Sequence, residues 1–254
     1  MQNRTFSSLL VAAALITAPC LSSATEYNIV HPYQITNGVT SMNIIPQYVD
    51  CFKENGDKLI VYFRPGADTV IGAKFAVENR YSIITGVTGR DNISSDELQS
   101  IMSNTLYKKV PFLYFRNAVI QSNHKVRDDV TFISVTYERG LTAVFAKEFA
   151  KQQNFKNIEY IYIPTVTERI TYIISNLIDY AIVTESETLY QQAASGRFKI
   201  LEPKYEGIMW LLTTDKELES KINKCSAKIK YPYGTGFPDQ VMIQKWNKRF
   251  SLPD

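Results

Sequence analysis

Leu59-Ile60-Val61-Tyr62, followed by Arg64-Pro65-Gly66-Ala67 and then Ile71-Gly72, is the stretch that decides the fold. The apolar run has strand length, the Pro-Gly pair turns the chain sharply, and helical spacing begins near Thr69 and lasts to Glu78. Such a corner leaves the first amides of the helix without intrahelical partners, and a bound anion satisfies them. A second apolar run, Tyr81–Thr85, closes a strand–helix–strand unit.

The same grammar extends in both directions. Upstream, Tyr27–Val30 reads as a strand, and Ile44, Ile45, Tyr48, Val49 and Phe52 keep helical spacing. Pro46 is expected in the first turn of that helix or at a kink in it. Downstream, Ser94 with Glu97 forms a capping box, and the β-prone run Val110–Gln121 is expected to cross between two lobes. Strands at Val130–Val135, Ile158–Ile163, Tyr180–Val183 and Phe198–Leu201 then alternate with helices at Leu141–Gln153, Glu168–Asn176 and Glu187–Ala194. A return strand, Ile208–Thr213, precedes helices Lys216–Lys228 and Pro238–Phe250. Alternation of this kind implies βαβ units with right-handed crossovers. Two such series predict an α/β protein of two lobes, each a mainly parallel sheet flanked by helices.

The first 24 residues stand apart. Arg4, the apolar Leu9–Ile16 and the small residues Ser22-Ser23-Ala24 make a secretory signal peptide, with cleavage before Thr25. The expected organisation is signal peptide 1–24, lobe 1 from 25–115 plus 212–254, and lobe 2 from 116–211, in an exported, periplasmic monomer. Formal net charge is +3, and +2 once Arg4 has gone. Charges of both signs are interspersed, which gives no phosphate-neutralising stripe and excludes nucleic acid as a partner. Of the 3 cysteines, Cys51 and Cys225 survive processing. In an oxidising compartment they either pair, joining the first helix to the penultimate one, or remain two buried thiols. No metal cluster, phosphate loop or nucleophile elbow occurs, so neither cofactor nor metal is expected. His31 is the only candidate base, and without a second catalytic partner it does not make an enzyme.

In open α/β sheets ligands bind beyond the carboxyl ends of strands. That rule nominates six loops, His31–Ser41, Phe63–Thr69, Thr85–Gly89, Thr136–Thr142, Pro164–Thr167 and Thr184–Ser186, all rich in groups that also cap helices and make turns. Segment by segment, the chain resembles the substrate-binding receptors of tripartite tricarboxylate transporters, the Bug family. Arg64-Pro65-Gly66-Ala67 with Ile71-Gly72 carries the resemblance most specifically, although Phe63 replaces the family's Asn. Ile29-Val30-His31-Pro32-Tyr33, Tyr81–Thr88, Tyr160–Pro164, Asp179–Val183 and Gly196–Ile200 follow in the family's order.

The resemblance implies a type II periplasmic-binding-protein fold with the ligand cleft between lobes. It also implies a small organic anion, a carboxylate, delivered to membrane transporter subunits. Carried over position by position, it nominates Tyr33, Thr36, Asn37, Gly38, Thr40, Ala67, Thr69, Gly86, Thr88, Arg139, Thr142, Thr165 and Thr184 as cleft-lining residues. Arg64 is expected to brace its turn. This chain departs from the family at Thr36–Ser41, where only Gly38 of a glycine pair is kept, and at Tyr137-Glu138-Arg139, where the family is small and neutral. Arg139 could grip a carboxylate bidentately or pair with Glu138. Two other readings share the architecture: an ABC-type receptor for amino acids or another small solute, and a sensory or scaffold protein that binds a protein partner. A cleft blocked by bulky residues such as Tyr137 would favour the last.

Overall fold

The computed structural model describes residues 24–31, 39–63, 75–85, 107–136 and 141–250. Nine strands form one sheet: β1 (Glu26–His31), β2 (Lys58–Phe63), β3 (Ser82–Thr85), β4 (Lys108–Gln121), β5 (Thr131–Val135), β6 (Ile158–Tyr162), β7 (Tyr180–Thr184), β8 (Lys199–Thr213) and β9 (Thr235–Gly236). Their order is β2-β1-β3-β8-β4-β7-β5-β6, with β9 paired to β4. Among the described residues the helices are α1 (Val39–Glu54), α2 (Leu141–Gln152), α3 (Val166–Ile174), α4 (Glu187–Ala194), α5 (Lys216–Ser226) and α6 (Gln240–Phe250), and residues 75–79 are helical as well. The strand–helix alternation expected from the sequence is present, and the parallel pairings β2-β1-β3 and β6-β5-β7 are its two series.

Each triplet is buried on both faces. Around the first, Ile44, Tyr48 and Phe52 of α1 and Leu218 and Ile222 of α5 pack on Ile29, Val110 and Leu211, while Val30, Ile83 and Leu212 meet Ala76 on the other side. Around the second, Phe145 and Phe149 of α2 pack on Ile133, Val135 and Ile182, and Ile173 of α3 with Leu189 of α4 packs on Ala181 and Val183. These buried apolar faces, spaced three and four residues apart on the helices, are what make short amphipathic helices stable. Cys51 on α1 and Cys225 on α5 form a disulfide, Cα to Cα 5.9 Å.

Of the two positions expected for Pro46 the first turn is excluded: Pro46 lies inside α1, well past that turn, at an exposed position. Pro46 removes one helical hydrogen bond; the face that buries Ile44, Ile45 and Tyr48 holds the helix regardless. The strands expected at Phe198–Leu201 and Ile208–Thr213 are one strand, β8. Pro203 falls within the register shift between Asn117 and Val119, where the ladder asks for no N–H from it, so the strand runs on through it. β8 and β4 thereby make a long antiparallel ribbon through the middle of the sheet.

Candidate functional site

β3 ends with Thr85 opposite Trp210 of β8, and β7 ends with Thr184 opposite Asn117 of β4. Trp210 also pairs with Pro111, and Asn117 with Tyr205. The carboxyl ends of the two parallel triplets therefore converge on one stretch of ribbon, Pro111–Asn117 against Tyr205–Trp210, about 20 Å long at strand rise. Ligands of open α/β sheets sit at such places.

On one face of this ribbon stand Phe115 and Asn117, two residues apart and so pointing the same way. Phe115 lies directly across from Gly207, and its ring occupies the room a side chain would need: a Cβ at Gly207 would come within 2.7 Å of Phe115 Cε2 and 3.0 Å of Leu141 Cδ2. Leu141 is the first residue of α2, so the amino end of α2 rests on this face. Beside it, Thr142 Oγ1 accepts from the Thr136 amide at 3.0 Å. Thr184 Oγ1 donates to Asn117 Oδ1 at 3.4 Å, while Asn117 Nδ2 has no hydrogen-bond partner although the residue is 1% exposed.

The opposite side of the same ribbon is ionic. Glu185, the residue after β7, is fully buried; Arg116 Nε stands 2.9 Å and Lys204 Nζ 3.3 Å from its carboxylate. Tyr190 of α4 donates to it at 2.7 Å. The Arg116 contact lies off the N–H axis and is Coulombic rather than a hydrogen bond. The Tyr190 hydroxyl bonded to Lys204, together with Glu185, raises the Lys204 ammonium above its ordinary range. Arg116 also lies over the Tyr233 ring, and its amide donates to Gly234, so the segment before α6 is held to the same spot.

Of the residues nominated from the sequence, three are described with their side chains. Thr184 lies at the ribbon, and Thr142 ties the amino end of α2 to the residue after β5. Thr165 caps α3, accepting from the Glu168 amide at 3.2 Å and donating to its carboxylate at 2.7 Å. The backbone of Thr40 is in α1, and its side chain lies outside the described residues. Tyr33, Thr36, Asn37, Gly38, Ala67, Thr69, Gly86, Thr88 and Arg139 also lie outside them, as do the Arg64-Pro65-Gly66-Ala67 turn, the Ser94–Glu97 capping box, Tyr137 and Glu138. His31 is buried at the end of β1 against the Phe63 ring. Among the described residues no group of three or more His, Cys, Asp or Glu side chains is placed to hold a metal ion, and no helix is long and apolar enough to cross a membrane.

Sequence reading passed over Asn117, Phe115, Gly207 and Glu185. The available signal was Arg116-Asn117, a polar pair interrupting the apolar run from Val110 to Ile120. It also passed over Arg169, buried on α3, whose Nη1 donates to Thr136 Oγ1 at 2.7 Å at the end of β5.

No protein-family profile and no curated protein matches the sequence. Solved structures do match its fold. The R. palustris protein Rpa4515 with adipate aligns at TM-score 0.62 and 11% identity, covering 89% of this chain and 94% of that one. A structure described as a periplasmic transporter aligns at 0.61 and 11% identity, covering 91% and 95%. The periplasmic binding protein BugD aligns at 0.55 and 12% identity, covering 89% and 87%. Coverage this complete at such low identity speaks to architecture: the chain has the α/β fold of type II periplasmic binding proteins.

Proposed function

We propose that this chain is an extracytoplasmic solute-binding protein, a divergent member of the Bug receptors. It captures a small organic anion, a carboxylate, and delivers it to membrane transporter subunits. The observation that carries this reading is the convergence of both triplets' carboxyl ends on Pro111–Asn117 and Tyr205–Trp210. The adipate in the Rpa4515 structure supports a carboxylate as the solute class. In this reading residues 25–115 with 212–254 form one lobe and 116–211 the other. Residues 1–24 direct export, and the mature protein is a periplasmic monomer. The nominated loop residues, from Tyr33 to Thr184, line the cleft through hydroxyls and helix-start amides, which favour anions without a buried lysine. Closure follows from the solute touching both lobes, because a ligand shifts a conformational equilibrium only by its differential affinity.

A thermal-shift screen against carboxylates and amino acids tests the reading. A saturating solute raises the melting temperature by mass action, about 2.7 kcal/mol of stabilisation at 100 times Kd. A folded protein that responds to no anion rejects the reading.

A further inference from the structure

Asn117 is a buried amide in the middle of an apolar strand, and half of its hydrogen-bonding capacity is unmet. Its oxygen takes the Thr184 hydroxyl at 3.4 Å, and its Nδ2 has no partner. Buried donors are nearly always satisfied, so an orphan asks for a reason; Ser134 Oγ and Trp210 Nε1 are also unmet, and Asn117 Nδ2 is the one at the end of β7. Four neighbouring facts supply that reason. Asn117 sits where β7 ends, at the ligand position of the fold. It shares a face with Phe115, whose ring covers Gly207 and forms an apolar floor. Leu141 brings the amino end of α2, a 12-residue helix whose first-turn amides have no intrahelical partners, onto that floor. The anionic Glu185 is on the other side, occupied by Arg116 and Lys204.

We propose that Asn117 determines specificity in the cleft: its Nδ2 donates to an oxygen of the bound acid. The amino end of α2 holds one carboxylate, the Phe115–Gly207 floor takes the intervening carbons, and Asn117 meets a second acceptor. The class selected is small acids with two acceptor ends, dicarboxylates and oxo acids. Aliphatic monocarboxylates satisfy only one end. This inference rests on the solute-capture reading above.

Calorimetric titration of the purified protein with succinate, glutarate and 2-oxoglutarate, beside butyrate and valerate as matched monoacids, tests it. Wild type should bind at least one two-ended acid about 10-fold or more tighter than its matched monoacid. Asn117→Leu removes the donor at similar size. It should weaken the two-ended acids about 10- to 100-fold and leave the monoacids within about twofold. Unliganded Asn117→Leu should melt close to wild type, because removing a buried unmet donor offsets the loss of the long Thr184 bond; a purely structural asparagine would lower the melting temperature markedly. In wild type, the Asn117 side-chain amide resonances should move on saturation with the same acid, a readout that needs no variant and decides alone if Asn117→Leu does not fold. Unchanged affinity in Asn117→Leu, or unmoved Asn117 resonances at saturation, overturns this inference and leaves solute capture standing. Wild type that binds none of the five acids overturns it as well, and if the wider screen is also flat the capture reading falls with it.

Discussion

Arg116 Nε and Glu185 Oε2 stand 2.9 Å apart, tying the middle of the longest crossing strand pair to the residue that follows β7. Lys204 and Tyr190 complete the shell around the same carboxylate. Glu185 is fully buried while both cations keep about a third of their side chains in solvent, so the two sides of the pair are not equivalent.

Glu185→Gln should therefore lower stability by about 1–3 kcal/mol, since it strips the shared anion from two partly desolvated cations. Arg116→Met should cost less, because Lys204 still compensates Glu185. Urea unfolding of the two variants checks the order, and equal losses would contradict it.

The Cys51–Cys225 bond closes a loop with a sequence separation of 174. Chain-entropy reasoning assigns such a loop about 5 kcal/mol, and removal of native disulfides commonly loses about 2–5. Melting with and without reductant should show a loss in that range, matched by the Cys51→Ser/Cys225→Ser double variant, which should itself be insensitive to reductant.

At Gly207 the obstacle is the Phe115 ring. Gly207→Ala should destabilise by about 1–3 kcal/mol through overpacking. Adding Phe115→Leu should recover part of that loss, so a double-mutant cycle by urea denaturation should show coupling between the two positions.

Alkali should expose buried phenols. Burial first, then Tyr231, lifts the Tyr48 hydroxyl far above its ordinary 10.0; Tyr114 is also raised, by burial and its bond to Glu206. Above about pH 10 the native state thus retains protons that the unfolded state has released, and stability falls as pH rises. Below that pH these groups add no slope. Tyr48→Phe should flatten the alkaline decline in a pH series of unfolding free energies, at the expense of about 1 kcal/mol near neutrality from the lost Tyr231 contact.

Thr165→Ala should cost about 1 kcal/mol by removing the cap of α3. Solute titration of the same variant separates a cap from a ligand contact: affinity unchanged at reduced stability leaves Thr165 a capping residue.

Much of the fold was legible because its signals are local. The apolar runs Leu59–Tyr62, Val130–Val135 and Tyr180–Val183 are strands within a residue or two of their expected ends, and the helix Glu187–Ala194 has the expected bounds. In the sequence, capping is only the alternative role of the strand-end loops; Thr165, nominated for the cleft, and Ser186 do hold the amides of Glu168 and Leu189. Less legible was the joining of Phe198–Leu201 to Ile208–Thr213 in one strand, because the bulge that carries the chain through Pro203 is set by the partner strand β4 and not by neighbouring residues.

By itself, then, the sequence determined the alternation of strands and helices, and hence two α/β series with their strand-end loops, because each periodicity is written in consecutive residues. Only the tertiary structure decided what meets at the junction. Asn117 faces Thr184, and Arg116 and Lys204 reach Glu185, across chain separations that no local pattern encodes. Register in the β4–β8 ribbon sets those meetings, and the packing of both triplets around it sets the register.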